Sequence, residues 1–453
     1  QWLTFYGPIS PSRIHDVLGV EASKIENALE SLLEEERIVR GHLRKGNSEE
    51  EICDRENYER LLRLLHKEST PLFTPLPAER LPFFLAHQQG LTQRGESLED
   101  LQRALESLLG YPSSAELWER EWLPARMRHY HPRWMDELTR EAGLIWYGCG
   151  EEDITLCFQD QIDCFQREET VEDSSAATFD PTQAWFPDRR GKYDFAQLME
   201  TSHLTSDVLT ERLWSAVWKG KVSNDAFSTL RKGIESRFKA WKIPDGSMYS
   251  GLAPEKRSRG RTSGFGRWKA SRPFAGNWFL IEPPHPSDNA LDALEREKDG
   301  VRLLLDRYGI VFRDLLQREM PALRWGILFK ALWLMELSGE IAGGYFFEGI
   351  PGVQFARMHS LKSISTELHD KPVYWMNATD PASLCGLAIE GLKGELPARR
   401  PTTHLVYHGT KLVLVSYRQG KELDFRVSSD HPDLLSYLGL FGDWLGRNFQ
   451  PMK

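Results

Sequence analysis

Thiols are scarce in this chain. Five cysteines, Cys53, Cys149, Cys157, Cys164 and Cys385, occur in 453 residues, none in a Cys-x-x-Cys pair, and the odd count leaves one over. That excludes a small secreted disulfide scaffold and predicts free, mostly buried thiols in a reducing, cytoplasmic interior. Long apolar runs are missing as well. The longest, Trp325 to Leu337, contains Lys330 and Glu336 and is too short to cross a bilayer, so no membrane partner is expected. The chain begins at Gln1 with neither Met nor a basic-then-apolar leader, and so reads as a piece of a longer polypeptide. A phosphate loop of the form Gly-x-x-x-x-Gly-Lys-Ser/Thr is absent, which predicts no ATP cradle of that kind. Excess positive charge is lacking too. The formal net charge of −9 argues against a uniformly basic surface.

What is present is a repeated scheme of short helices leading into hairpins. A chain of this length holds about three to five compact units. The plainest instance runs from Leu204 to Arg231. A polar cap around Ser206 precedes Leu209, Leu213, Val217 and Trp218 at helical spacing, Gly220 ends the helix, and a short strand follows at Val222. This reads as the recognition half of a winged helix, with Thr210, Arg212, Ser215 and Lys219 on the outer face. A winged helix of this kind serves equally as a protein-docking module, and the choice between those uses rests on other features.

The same pattern recurs along the chain, and the units divide at 1–70, 79–165, 190–283, 288–347 and 348–453. In the first, Ser10-Pro11 starts a helix, Gly19 ends it, a second helix begins near Ala22 with Ile25, Leu29, Leu32 and Leu33 on one face, and Ile38 to Gly41 and Ile52 to Arg55 form a hairpin. Leu101, Leu105, Leu108 and Leu109 stripe a helix of the second, whose hairpin is Leu144 to Tyr147 with Ile154 to Phe158. The third closes with a strand from Asn277 to Ile281. The fourth has helices at Val301 to Tyr308, Val311 to Gln317 and Leu323 to Leu337, then a wing at Glu340 to Phe347. Beyond Gly349, strand candidates at Val373, His404, Leu412 and Leu423 alternate with turns and predict a small β-barrel. The fold class is therefore α+β, tandem winged helices followed by that barrel.

Charge is distributed unevenly. Lys256, Arg257, Arg259, Arg261, Arg267, Lys269 and Arg272 lie together without an acidic residue, interleaved with glycines, Phe265 and Trp268. Such a stretch suits phosphate contact by the cations and base stacking by Trp268; its bland reading is a solvated loop. Acidic clusters at Glu34 to Glu36 and Glu49 to Glu51 should repel phosphate. Tyr345, Phe346 and Phe347, beside Gly343-Gly344, are candidates for a strand-separating wedge, although a strand there would turn two of them inward. Trp214, Trp218, Trp325 and Trp333 fall at helical intervals and read as core. Candidates for chemistry are few. Asp380 precedes Pro381, a turn-forming context in which a carboxylate could also orient water. Gln159 to Asp163 follows what reads as an edge strand and has the character of exposed loop. His129 and His131 lack neighbours at metal-ligand spacing, so no metal is expected.

Several runs carry a family resemblance. Leu117-Trp118-Glu119-Arg120-Glu121-Trp122-Leu123-Pro124-Ala125-Arg126, the stretch from Leu213-Trp214 to Asn224-Asp225, Gly344 to Gly349 with Gln354-Phe355-Ala356, and Ala378-Thr379-Asp380-Pro381-Ala382 resemble the C-terminal region of Lhr-type large helicase-related proteins, over nearly all 453 residues. The resemblance implies winged helices and a barrel similar to that of AlkZ-type DNA glycosylases, with single-stranded or forked DNA as partner. It also implies an N-terminal helicase core in the same polypeptide, to which ATP and Mg would belong, this piece needing neither. Some members are credited with uracil-DNA glycosylase activity through a carboxylate near the far C-terminal end, which no residue here matches. Three functions stay open: a DNA-binding accessory region of a DNA repair helicase, a glycosylase that flips a damaged base, and an oligomerisation or partner-docking module.

Overall fold

A computed structural model describes residues 2–69, 73–166, 184–239, 274–282, 289–357, 360 and 372–448. The chain forms two compact units, one of residues 1–75 with 332–343 and the other of 76–331 with 344–453.

The smaller unit follows the order the sequence announces. Helix α1 (Pro11–Leu18) has proline in its first turn, where a missing N–H costs nothing, and it ends at Gly19, whose φ of 62° lets its N–H reach the His15 carbonyl at 2.9 Å. Helix α2 (Ala22–Glu34) turns Ile25 and Leu29 inward. Strands β1 (Ile38–Gly41) and β2 (Glu51–Asp54) pair antiparallel, Ile38 opposite Asp54 and Gly41 opposite Glu51, before α3 (Arg55–Ser69). Ile14, Ile25, Leu29, Ile38 and Ile52 make the core, each contributing roughly 1.5–3 kcal/mol by leaving water. One acidic cluster changes character here. Glu51 is buried rather than facing outward, because Arg44 Nε donates to its Oε1 at 2.7 Å and Asn47 Nδ2 at 2.8 Å.

The larger unit is assembled around residues 76–166. Helices α4 (Leu81–Gln88) and α5 (Leu98–Glu106) precede a helical segment, 115–126, that opens into a π turn at Trp118–Trp122. Pro124, in the helical turn Leu123–Arg126 that follows, has no N–H to give the ladder, and the wider turn seats Trp118 and Trp122, both fully buried, with ring centroids 5.0 Å apart. After α6 (Pro132–Glu141), a three-stranded sheet has the order β3 (Ser113–Ser114), β5 (Asp153–Phe158), β4 (Leu144–Gly150). Strand β5 is thus central, not the edge strand the sequence suggested, and Gln159–Cys164 after it coils into a 3₁₀ turn.

Helices α7 (Phe195–Ser202), α8 (Ser206–Trp218) and α9 (Phe227–Glu235) and strands β6 (Val222–Asn224) and β7 (Trp278–Leu280) share this core. Trp146 of β4 stacks on Trp214 of α8 at 6.2 Å, and Gly148 approaches so closely that a Cβ there would stand 2.0 Å from the Val217 carbonyl oxygen. Arg231 of α9 forks onto Glu119 at 2.6 and 2.9 Å and onto Asp136 at 2.9 Å. Burial works against that charge, yet the two carboxylates overcome it and hold the guanidinium pKa above its ordinary value.

Helix α10 (Ala290–Tyr308) ends at Gly309 (φ 68°), against Phe84 of α4. The helix expected at Val311 to Gln317 does not form. Its start is strand β8 (Ile310–Val311), paired with β10 (Gln354–Ala356), and its end is a 3₁₀ turn, Leu315–Arg318. Helix α11 (Trp325–Leu337) and strand β9 (Ala342–Gly344) follow the 3₁₀ turn in the chain. The last sheet is an antiparallel meander, β11 (Val373–Asn377), β12 (His404–His408), β13 (Lys411–Tyr417) and β14 (Glu422–Phe425), in that order. Among the described residues it stays open, with exposed β14 at one edge, so the expected barrel does not close. A helix the sequence reading lacked, α12 (Leu434–Asn448), lays Tyr437 under the sheet, its hydroxyl 2.7 Å from His408 Nδ1.

Candidate nucleic-acid interface

Helix α8 has two unlike faces. Leu209, Leu213, Trp214, Ala216 and Val217 are buried, whereas Arg212, Ser215 and Lys219, just past its end, follow one another on the solvent side at spacings of three and four. Arg212 lies over the Trp185 ring with its guanidinium carbon 6.0 Å from the centroid, which leaves the charge outward while the stem is held. Glu211 is exposed beside it. Thr210, expected on this face, is buried instead, its hydroxyl donating to the Ser206 carbonyl at 2.7 Å. Lys256, Arg257, Arg259, Arg261, Arg267, Trp268 and Lys269 lie outside the described residues.

At the aromatic run only one ring is free to meet a base. Tyr345 is 66% exposed, but Phe346 and Phe347 are both buried, which removes Phe346 as a stacking residue. Two adjacent side chains point inward because the regular strand ends at Gly344 and the side chain of Gln354 takes over: its Oε1 accepts from the Phe346 and Phe347 N–H groups at 3.0 and 2.9 Å, and its Nε2 donates to the Phe347 carbonyl at 2.7 Å. Phe347 then packs on Phe84 at 5.5 Å.

Asp380 is not available for catalysis. Fully buried, it receives Arg126 Nη1 at 2.8 Å and Nη2 at 3.0 Å, and its Oδ1 accepts from the Ala382 N–H at 2.9 Å in the turn that Pro381 sets. Arg126 also donates to Gln89 Oε1 at 2.7 Å. The pair joins residues 254 positions apart, which no local pattern reveals. His129 and His131 are exposed, His131 edge-on to Trp134 at 5.1 Å. Of the five thiols, all free, Cys53, Cys157 and Cys385 are buried, and burial pushes Cys53 up to about 11 and Cys149 to about 12, which keeps them protonated and unreactive at neutral pH.

A cleft the sequence reading missed lies where β3, the 3₁₀ turn Leu315–Arg318 and the Thr379 turn meet. Its volume is about 390 Å³, and Tyr111, Ser113, Asp153, Arg318, Thr379 and Arg399 are among its walls. Arg318 donates to the carbonyls of Ser383, at 2.5 Å, and Cys385. Arg399 donates to the carbonyls of Ala378, Thr379 and Asp380 at 3.1, 2.5 and 3.3 Å and to the Tyr111 hydroxyl at 2.8 Å. Burial, then the nearby Arg399 charge, draws the Arg318 pKa down to about 10. On the opposite wall burial and Glu152 raise that of Asp153. Arg318 and Arg399 stand in unremarkable runs, Gln317-Arg318-Glu319 and Ala398-Arg399-Arg400, so only the fold brings them together.

Comparison with known proteins converges on the same family. Two family models, each described as the winged-helix domain of the large helicase-related protein, match residues 76–159 and 290–375. The chain is 27% identical over 363 residues to the Lhr helicase/uracil glycosylase of Escherichia coli (strain K12), a match covering 72% of this chain and 22% of that protein. It is 25% identical over 431 residues to an Lhr helicase of Mycolicibacterium smegmatis (strain ATCC 700084 / mc(2)155), covering 87% of this chain and 26% of the relative. The chain therefore spans about a quarter of the length of the curated relatives it matches. The Streptomyces sahachiroi DNA glycosylase AlkZ superposes with a TM-score of 0.42 at 12% identity, over 83% of this chain and 97% of that one, a likeness too distant to argue from. In its two matched winged-helix domains, and over most of its length against these long relatives, the chain is similar to the Lhr-type, large helicase-related proteins.

Proposed function

We propose that this chain engages DNA as an accessory region of an Lhr-type helicase, laying the outer face of α8 and the basic stretch from Lys256 to Arg272 along the backbone of a single-stranded or forked substrate. The observation that supports this most directly is the outward stripe Arg212, Ser215 and Lys219 on a helix whose other face is wholly committed to the core. A helix so anchored presents its cations without moving, and phosphate neutralisation supplies most sequence-independent affinity. In this reading the ATP and Mg that drive translocation belong to a helicase core elsewhere in the polypeptide, and the chain's part is to hold the strand. Fluorescence anisotropy with single-stranded, duplex and forked oligonucleotides across a salt series tests it. Binding should weaken steeply with salt, and replacing Arg212 and Lys219 with Ala should flatten the single-strand slope by about 1.4 if each meets one phosphate. Absence of salt-dependent binding to any of the three substrates overturns the reading.

A further inference from the structure

We propose that the cleft between Arg318 and Arg399 is a binding site for a phosphate group. The buried or largely buried arginines elsewhere in this unit each meet a carboxylate: Arg126 meets Asp380, Arg231 meets Glu119 and Asp136, and Arg307 meets Glu319. Arg318 and Arg399, both half-buried, differ. Among the described residues their hydrogen bonds go to neutral acceptors, five backbone carbonyls and one phenol, and no carboxylate lies within ion-pair distance of either. Carbonyl dipoles orient a guanidinium but do not neutralise it, and two like charges held close together and partly withdrawn from water favour an anion between them.

The surroundings suit phosphate. Arg318 uses two of its five N–H donors in those bonds, leaving others for the cleft, and planar guanidinium forks match phosphate oxygens. Ser113, Ser114 and Thr379 add neutral polar groups to the wall. A volume of about 390 Å³ lies within the range that holds a small ligand, enough for a phosphate with an attached sugar. Asp153 is the opposing feature. It lines the same cleft, and its negative charge disfavours an anion there, which gives the site a second lever of opposite sign.

Inorganic phosphate, titrated calorimetrically against chloride at matched ionic strength, is the first probe. Arg318→Gln should weaken apparent phosphate affinity about tenfold, and Asp153→Asn, which touches no hydrogen bond of the arginines, should tighten it roughly threefold. A general salting effect of phosphate would be the same in all three proteins. Should Arg318→Gln fail to fold, Asp153→Asn alone decides: unchanged phosphate affinity in that variant overturns the site. A single-stranded oligodeoxynucleotide is the second probe, and this arm alone rests on the DNA-binding reading above. If the two substitutions shift oligonucleotide affinity in the same opposite directions, the phosphate belongs to a DNA strand. Shifts confined to inorganic phosphate support the site with a small phosphate-bearing molecule as its ligand. Phosphate binding that survives while the wild-type chain ignores DNA sinks the proposed function and leaves the cleft standing.

Discussion

Asp380 and Arg126 lose nearly all contact with water, so each depends on the other for compensation. Removing one partner strands the other's charge, which costs about 3–5 kcal/mol, several times the worth of an exposed ion pair. Asp380→Ala should therefore lower unfolding stability by that amount in urea titration, and a change below roughly 1 kcal/mol would show that the pair is not fully desolvated in solution. The aromatic run permits a sharper contrast. Phe346→Ala should cost about 3–5 kcal/mol of stability, while Tyr345→Ala should leave stability within roughly 0.5 kcal/mol. If Tyr345 stacks on a base, its loss should instead remove about 1–3 kcal/mol of affinity for forked DNA. Comparing melts with anisotropy on the two variants separates a core residue from a contact residue, and equal stability losses in both would mean that Tyr345 is buried after all.

Elements in this fold are positioned by close approach as much as by apolar area. Gly148 on β4 is the plainest case, because the atom a side chain would strike is the backbone carbonyl of Val217, which cannot swing aside. Gly148→Ala should thus destabilise the larger unit by about 1–3 kcal/mol or more, read as a lower melting temperature. The β1–β2 hairpin responds to pH in a direction fixed by Glu51. Hydrogen bonding from Arg44, opposed by burial and helped by Asn47, holds the Glu51 carboxyl below the ordinary glutamate range. Its stabilising effect is present above that range and fades as pH falls through the lowered value, so the protection factors of the hairpin amides, corrected for the intrinsic exchange rate, should fall on acidification and Glu51→Gln should flatten that dependence. Much of the smaller unit was legible in the sequence, since Pro11, Gly19 and the Ile25–Leu29 spacing act within one turn of themselves. Strand β8 was not. Ile310 and Val311 become strand because Ala356 and Phe355 lie opposite, partners too distant in sequence for a local pattern to reveal. The candidate site divides in the same way. Arg212 and Lys219 could be placed by periodicity, whereas Arg318 and Arg399, and the burial of Asp380, follow from contacts between distant segments.

Across the whole chain two expectations bear on how it divides its work. With no phosphate loop in the sequence, Mg-ATP should neither be hydrolysed nor raise the melting temperature, and DNA-stimulated ATP turnover in a clean preparation would contradict that. The larger unit raises the other question, whether its segments behave as separate beads or as one body. Residues 76–166 touch each neighbouring segment through buried or part-buried polar contacts: Arg231 with Glu119 toward α9, Arg307 with the Ser107 carbonyl at 3.1 Å toward α10, and His404 with Glu121 at 3.0 Å toward the last sheet. Contacts of this kind are satisfied only when all partners are in place, so opening one segment exposes polar groups belonging to the next. Hydrogen exchange on Asp380→Asn should then show loss of protection in 76–166 and in β11–β13 together, of similar size, under conditions where sub-global opening is observed. Loss confined to the sheet would mean that the segments open independently, as beads on a string do. Concerted loss would make the region a rigid platform, on which the stripe of α8 and the Arg318–Arg399 cleft keep a fixed separation as a strand passes.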